Sequence, residues 1–323
     1  LSLLRSLLRV KDADIFHAHS GKRLGGIVRT AARRRGLPYV ISLHGGVYDV
    51  PDNEMQQMLQ PTKGTFEWGR AFGAALGARR VLDDADAILC VGQNEQQEVQ
   101  ARFPHKRVEW LPNGVDIDCF SNGNGQRFRS KHGIPQESKM LLCVSRIDYQ
   151  KNQLALVEMM RSLMTRHHDA HLVLIGPVTI ESYHMKIVEC IERLGLSNQV
   201  TLLPGLPTGS NDLVDAYHAA DVFCLPSRHE PFGIVVLEAW AAGLPVVASD
   251  IGGIPTFTED GEDVLHIDPE DSATIVTAVD ALLSNKQLRA KLTENGLKKA
   301  RNRFDWSRIS ERLASIYQDI RTH

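Results

Sequence analysis

The sequence predicts an α/β protein made of two doubly wound domains with parallel sheets. Three observations predict it. Short β-branched runs alternate with helical patterns along the whole chain, as in sheets assembled from βαβ units. The length of 323 residues suits two domains better than one. A polar, glycine-rich stretch at residues 121–129 (SNGNGQRFR) divides one set of strand-like runs from the next.

Taken in order, the first set of strands reads at residues 14–18, 39–43, 87–91 and 108–111. The second reads at 140–144, 172–175, 200–203, 222–225, 246–249 and 264–267. Between them, segments such as 154–165 and 272–283 have one polar and one apolar face and read as helices. The expected division is a first domain at 1–120, a linker at 121–130 and a second domain at 131–304, with 305–323 crossing back onto the first. Ligands of such folds bind at the carboxyl ends of the strands, so two facing domains would hold the site in the cleft between them.

Composition is that of an ordinary globular protein, with 43% hydrophobic and 24% charged residues. A chain of this size buries a core large enough to need neither disulfides nor a structural metal. Cys90, Cys119, Cys143, Cys190 and Cys224 are far apart, odd in number and without metal or redox spacing, which fits free thiols in a reducing cytoplasm. No apolar run reaches the roughly 18 residues of a membrane span. Residues 1–10 read as an amphipathic helix end rather than a signal peptide, and the chain does not open with Met, so a preceding segment is expected. Residues 1–50 carry nine Lys/Arg against three Asp, about +6, although the whole chain carries −2. A basic helix around 27–35 allows peripheral contact with an anionic membrane or a phosphate-bearing acceptor. No nucleic-acid partner is expected. No glycine-rich dinucleotide fingerprint follows a strand, since Gly25-Gly26 and Gly45-Gly46 have the wrong spacing.

The most informative stretch runs from Ser227 to Trp240 (SRHEPFGIVVLEAW), after the strand at 222–225. It is a loop at the carboxyl end of a parallel strand that opens a helix. Phe232, Gly233 and Ile234 can aim unpaired N–H groups of the helix start at an anion or a sugar hydroxyl. Glu230 lies in the loop and Glu238 two turns on, on the order of 10 Å away, which suits two points on an extended ligand. Glu238 stands among Val235, Val236, Leu237, Ala239 and Trp240, where a carboxylate needs hydrogen bonds that a ribose diol can supply. A second loop, Ser145 to Asn152 (SRIDYQKN), follows the strand at 140–144. There Arg146 and Lys151 can stabilise the charge that a diphosphate gains on leaving. Two such cations can replace a divalent metal, so no metal and no cofactor are expected.

These two loops resemble those of the family 4 retaining glycosyltransferases with the GT-B fold, Glu230 and Glu238 matching its Glu-x7-Glu pattern and Arg146 and Lys151 its Arg-x4-Lys motif. The resemblance covers nearly the whole chain. It implies two facing Rossmann-like domains, the first incomplete because the family's opening strand and glycine-rich loop would precede Leu1. It implies that Glu230 contacts the transferred sugar and Glu238 holds the ribose. Ile175-Gly176-Pro177 is similar to the segment that lies along the nucleotide, with Leu202-Leu203-Pro204-Gly205 near the base. Ser42-Leu43-His44-Gly45-Gly46 is similar to the family's strand-end His-Gly, which implies that His44 faces the donor sugar. Gly45 would then lie on the acceptor side; His17 and His19, which flank another strand end, could line the acceptor side or serve a structural role. Leu111 to Asp116 and Phe304-Asp305-Trp306 resemble the exit from the first domain and the return to it. The loops at 249–255 and 259–261 also look like family loops. One departure is Asp263-Val264 where many members have a second glycine, read here as a local loop change with little bearing on activity.

The expected activity is therefore transfer of a sugar, with retention, from a UDP- or GDP-sugar to a sugar or lipid-linked acceptor. This would serve polysaccharide or glycoconjugate synthesis on the cytoplasmic side of a membrane. The competing expectations are a non-catalytic nucleotide-sugar-binding module and, more remotely, a GT-B-like epimerase.

Overall fold

The computed structural model describes residues 2–45 and 80–321. The chain divides into two compact units, Leu1–Asn113 with Ile309–His323, and Gly114–Arg308.

The first unit opens with α1 (Ser2–Arg9), β1 (Phe16–Ala18), α2 (Lys22–Arg35) and β2 (Tyr39–Leu43). It continues through β3 (Ala87–Cys90), α3 (Gln93–Arg102) and β4 (Arg107–Trp110). The four described strands form a parallel sheet in the order β1-β2-β3-β4. Both faces are covered, so β2 and β3 are buried along their whole length, as parallel strands require. Helix α2 stops at Gly36, whose left-handed backbone (φ 63°) lets its N–H cap the carbonyls of Ala32 and Arg33. Asp84 binds Arg29, Arg33 and Arg80. The basic face read from the sequence is therefore partly neutralised within the unit, while Arg34 stays exposed.

The second unit carries α4 (Ile117–Phe120), α5 (Gly125–Lys131), β5 (Lys139–Val144), α6 (Gln153–Leu163), β6 (Ala170–Ile175) and α7 (Glu181–Leu194). Next come β7 (Val200–Leu203), α8 (Asn211–Ala219), β8 (Val222–Leu225), α9 (Ile234–Ala241), β9 (Val246–Ser249) and β10 (Leu265–Ile267). The series closes with α10 (Ser272–Ser284), α11 (Lys286–Lys299) and a π-helical turn at Ala300–Phe304; α12 (Trp306–Arg321) follows and belongs to the first unit from Ile309. The sheet order is β10-β9-β8-β5-β6-β7, all parallel. The chain winds one way from β5 through β6 and β7, then returns to β8 and winds the other way. This reversal makes the β5/β8 boundary the topological switch point, where doubly wound sheets leave a crevice beyond the strand ends.

Two expectations about organisation are corrected. Residues 121–130 are no linker: Asn124 caps α5 by accepting the Arg127 N–H at 2.9 Å, and Phe128 is fully buried. Arg129 is buried too, donating to the carbonyls of Pro135, Ser138 and Ala219, which fastens α5 to α8 and the start of β5. The units part instead at Asn113 and Gly114, and the chain rejoins the first unit at Ile309 rather than 305. Val115 donates to the Phe304 carbonyl at 2.8 Å and accepts from the Trp306 N–H at 3.2 Å, so the outgoing and returning segments lie side by side in the second unit. A Cβ on Gly114 would meet the Trp306 indole at 2.7 Å. From Ile309 onward α12 packs Ile309 and Ile316 against Val40, Ala87 and Leu89 of the first unit.

Candidate functional site

The β5 and β8 strands deliver the two sequence-marked loops to the switch point of the second unit. In the first loop, Asp148 is buried and its Oδ1 accepts the N–H groups of Gln150 and Lys151 at 2.9 and 3.1 Å. This Asx-type turn folds the loop back over the strand end. Asn152 follows in the left-handed region (φ 54°), a conformation that Asn tolerates better than most residues. Its amide donates to the Pro269 carbonyl at 2.9 Å. In the second loop, the N–H groups of Arg228 and His229 both donate to the Gln150 carbonyl, at 2.7 and 3.4 Å. The two loops are thus stitched together by backbone across the switch point.

That stitching brings Lys151 and Glu230 together, Nζ to Oε2 at 2.8 Å, with both side chains nearly buried. Ser227 Oγ donates to the same carboxylate oxygen at 3.4 Å. An ammonium has three donors, so Lys151 keeps two beyond Glu230. Arg146 lies in the same loop but contacts neither of these residues. Its guanidinium is half exposed and reaches Asp148 at 3.3 Å. Glu238 is set apart as well, buried on α9 with Oε2 accepting the Tyr217 hydroxyl at 2.6 Å. Burial pushes its carboxyl up to about 7, and the Tyr217 hydrogen bond opposes that rise. Of the four expected ligand-binding side chains, one pair is in direct contact and two stand in the same β5/β8 frame with partners of their own.

The loop before α9 is held open for backbone contact. Gly233 caps the helix in a left-handed conformation (φ 97°), and no acceptor in the described residues meets the Gly233, Ile234 or Val235 N–H groups. Phe232, expected to help with its N–H group, also anchors the turn: its ring stacks on Phe257 and meets Phe304 edge-on. Gly253 donates to the Glu230 carbonyl at 2.8 Å, and a Cβ there would lie 2.0 Å from the Pro231 carbonyl oxygen. The loop at 249–255 therefore fixes the backbone of the carboxylate loop.

Gly176 is needed for packing at this end of the sheet, since a Cβ there would fall 1.7 Å from the Ser145 carbonyl oxygen. It borders a cavity of about 280 Å³ shared with Ile147, Val178, His184, Leu202 and Pro204. Asp263 is buried, accepts the Glu259 N–H at 2.9 Å and is paired with Lys299, while its carbonyl takes the Trp240 indole N–H at 3.0 Å. The acidic side chain ties α11 to the loop that precedes β10, and the backbone carbonyl ties α9 to it.

In the first unit, His17, His19 and His44 form a ladder at the carboxyl ends of β1 and β2. His17 and His19 stack at 4.2 Å, and His19 Nδ1 lies 3.3 Å from His44 Nε2. His17 is wedged between Ser42 Oγ at 2.8 Å and the Tyr317 hydroxyl at 2.5 Å. Burial, then the neighbouring imidazoles, lower His17 to about 4, and burial followed by His19 lowers His44. The His17 ring is therefore a neutral hydrogen-bonding group at pH 7. The Gly45 N–H donates to buried Glu95 at 3.2 Å, while Gly46 lies outside the described residues. Glu95 and Tyr217 were not marked from the sequence. Both sit in helices whose pattern reads as ordinary packing. The chain also contains Asp-x-Asp triplets at 12–14, 84–86 and 116–118; Asp14 is paired with Arg321, Asp84 with arginines, Asp86 with the Tyr39 N–H and Asp116 with the Cys119 N–H.

Two Rossmann-like units, with a cation–carboxylate pair at the switch point of the second, define the GT-B class. Residues 124–299 match the family described as glycosyl transferases group 1, and residues 1–119 match glycosyltransferase family 4. The chain belongs to the glycosyl transferases of group 1. It is 30% identical to a D-inositol 3-phosphate glycosyltransferase of Corynebacterium glutamicum, over 75% of this chain and 59% of that protein. It is 28% identical to an uncharacterized glycosyltransferase of Methanocaldococcus jannaschii, over 97% of this chain and 77% of that one. The chain spans about 59% of the length of the first curated relatives it matches. In fold it is similar to a Rickettsia africae glycosyltransferase (TM-score 0.79, 19% identity, 99% of this chain and 80% of that one). It is equally similar to Anabaena HepE, solved with UDP and glucose (TM-score 0.79, 21% identity, 98% and 80%).

Proposed function

We propose that this chain is a retaining glycosyltransferase that moves a sugar from a nucleoside diphosphate to a sugar or lipid-linked acceptor, in polysaccharide or glycoconjugate synthesis. The observation that carries it is the Lys151–Glu230 pair, held between the β5 and β8 loops at the switch point. The donor is a UDP- or GDP-sugar. Arg146 and the free donors of Lys151 receive the diphosphate, with the N–H groups of Gly233 and Ile234 adding an uncharged anion-binding turn. Glu238 takes the ribose, and the cavity beside Gly176 takes the base. The C1–oxygen bond to the diphosphate breaks with its electrons moving to the phosphate oxygen. The acceptor hydroxyl bonds to C1 from the same face and its proton passes to the departing phosphate. Glu230 steadies the positive charge that develops on the sugar. His44 contacts the donor sugar, with His19 and Gly45 on the acceptor side. Two cations supply the charge, so the reaction proceeds in EDTA without metal. The enzyme works in the cytoplasm, and Arg34 with the N-terminal arginines offers contact to anionic lipid.

Release of UDP or GDP from a panel of nucleotide sugars tests this reading, with the configuration of the released or transferred sugar followed by proton NMR. The wild type is expected to release nucleoside diphosphate and keep the donor's anomeric configuration. Glu230→Gln should lose at least about a hundredfold in rate, the scale on which a transition-state charge stabiliser acts. A protein that binds donor and never turns it over would be a binding module instead. An inverted product would refute retention.

A further inference from the structure

The assignment of Glu238 to the nucleotide ribose leaves a physical problem that one neighbouring residue solves. Glu238 is 6% exposed, on a helix whose other faces are packed by Val236, Leu237 and Trp240. A carboxylate in that setting is free to turn and prefers to be neutral unless a fixed donor holds it. Tyr217 is that donor. Its ring has no exposed surface, stacks on Phe223 at 5.7 Å and meets Phe120 edge-on at 5.5 Å. Phe120 is fixed in turn, since its carbonyl lies 2.8 Å from His218 Nε2. The hydroxyl therefore has one available direction, and it donates to Glu238 Oε2 at 2.6 Å. Nothing in the described residues bonds Oε1.

Resting on the nucleotide-sugar reading above, we propose that Tyr217 is a positioning residue for the donor: its hydroxyl clamps one oxygen of Glu238 so that the other is presented, ionised, to a ribose hydroxyl. The surrounding charges leave this task to Tyr217. Cys119 on α4 is the other ionisable group near Glu238, with Asp116 beyond it, and both are neutral or acidic. Cys143 of β5 lies near Tyr217. From α11, Lys299 lies over the Trp240 ring and is occupied by Asp263. Arg303 of the π-helical turn stands over Phe304. Among the described residues no cation binds the Glu238 carboxylate, so the hydroxyl is the group that favours its ionised form. Burial raises the Glu238 carboxyl and Tyr217 lowers it. Removing the hydroxyl moves the midpoint of ionisation upward.

Calorimetric titration of the full chain with UDP and with GDP, from pH 6 to 9, tests this. In the wild type, affinity for the cognate nucleotide should rise through a midpoint near pH 7. Tyr217→Phe should bind about tenfold more weakly at pH 7, the loss expected for one hydrogen bond to a charged group, and recover most of it by pH 9. Glu238→Gln should bind weakly at every pH. Replacing Tyr217 by 3-fluorotyrosine keeps the ring and strengthens the donor, so the midpoint should fall; this arm decides the matter if the Phe variant unfolds. With kcat and KM measured alongside, the Tyr217→Phe effect should fall on the donor KM and leave kcat within about twofold. A Tyr217→Phe loss that is equal at all pH values, or absent while Glu238→Gln is impaired, overturns the clamp and leaves the nucleotide-sugar reading intact. Wild-type affinity in Glu238→Gln would remove Glu238 from the nucleotide site and the clamp with it.

Discussion

At the scale of single residues, the two glutamates of the Glu-x7-Glu pattern have opposite surroundings. Glu230 is neutralised by Lys151 across two loops, whereas Glu238 is buried beside a neutral hydroxyl. The second arrangement costs stability in the free protein. Burial raises the Glu238 carboxyl from 4.5 to about 7. A group whose folded value is raised contributes stability below its unfolded value and loses it as pH climbs through the folded one. Glu238→Gln should therefore match the wild type at pH 4.5 and be more stable above pH 7, by about 3 kcal/mol for a shift of this size. Urea unfolding at the two pH values reads this directly. Equal stability at both would show that the carboxylate is not strained. The glutamates, Arg146 and Lys151 were legible in the sequence because charged residues following apolar strands stand out against the pattern. Tyr217 was not, because a tyrosine on the inner face of an amphipathic helix looks the same whether its hydroxyl is idle or bonded. The Asp263–Lys299 pair was not legible for a similar reason: Lys299 lies far along the chain and no local spacing announces the contact.

At the scale of elements, strands were the most legible feature. Those at Tyr39–Leu43, Val200–Leu203, Val222–Leu225 and Val246–Ser249 occupy the residues expected, since a buried parallel strand must be apolar on both faces and is bounded by polar or turn residues. The segment at 121–130 was misread because its glycines and asparagines serve as a helix start and its cap. Gly125 lies against the backbone of His218 and Ala219, where a Cβ would come within 2.4 Å of a carbonyl oxygen. Glycine there permits close packing rather than flexibility. Gly176 makes the same point at the site. Its missing side chain lets the ends of β5 and β6 approach, and Gly176→Ala would drive a methyl into the Ser145 carbonyl. That substitution should cost at least about 2 kcal/mol in chemical unfolding, as overpacking of a rigid contact does. It should also weaken nucleotide binding by displacing the Arg146 loop. A stable Gly176→Ala with unchanged affinity would mean that the strand ends can part without consequence.

At the scale of the whole molecule, the family match covers both units, and each has its own sheet and core. Among the described residues no helix is long and apolar enough to cross a membrane. The doubly wound plan of the second unit explains how residues far apart in sequence meet: strand order turns back at β5 and β8, and the loops after those two strands bring Lys151 to Glu230, 79 positions along the chain. The sequence supplied the strands and the charged loops but not the order in which the strands lie, because order is decided by long-range packing that no local pattern encodes. The claim at the centre of this account is that the β5/β8 boundary grips a nucleoside diphosphate through Lys151. Its most direct measurement is the dissociation constant of UDP and GDP for the full-length chain and for Lys151→Ala, by calorimetry at constant ionic strength. Loss of a charge-assisted contact predicts that Lys151→Ala weakens the cognate nucleotide by about 10- to 100-fold. Equal affinity for wild type and variant, in a folded protein, would contradict it.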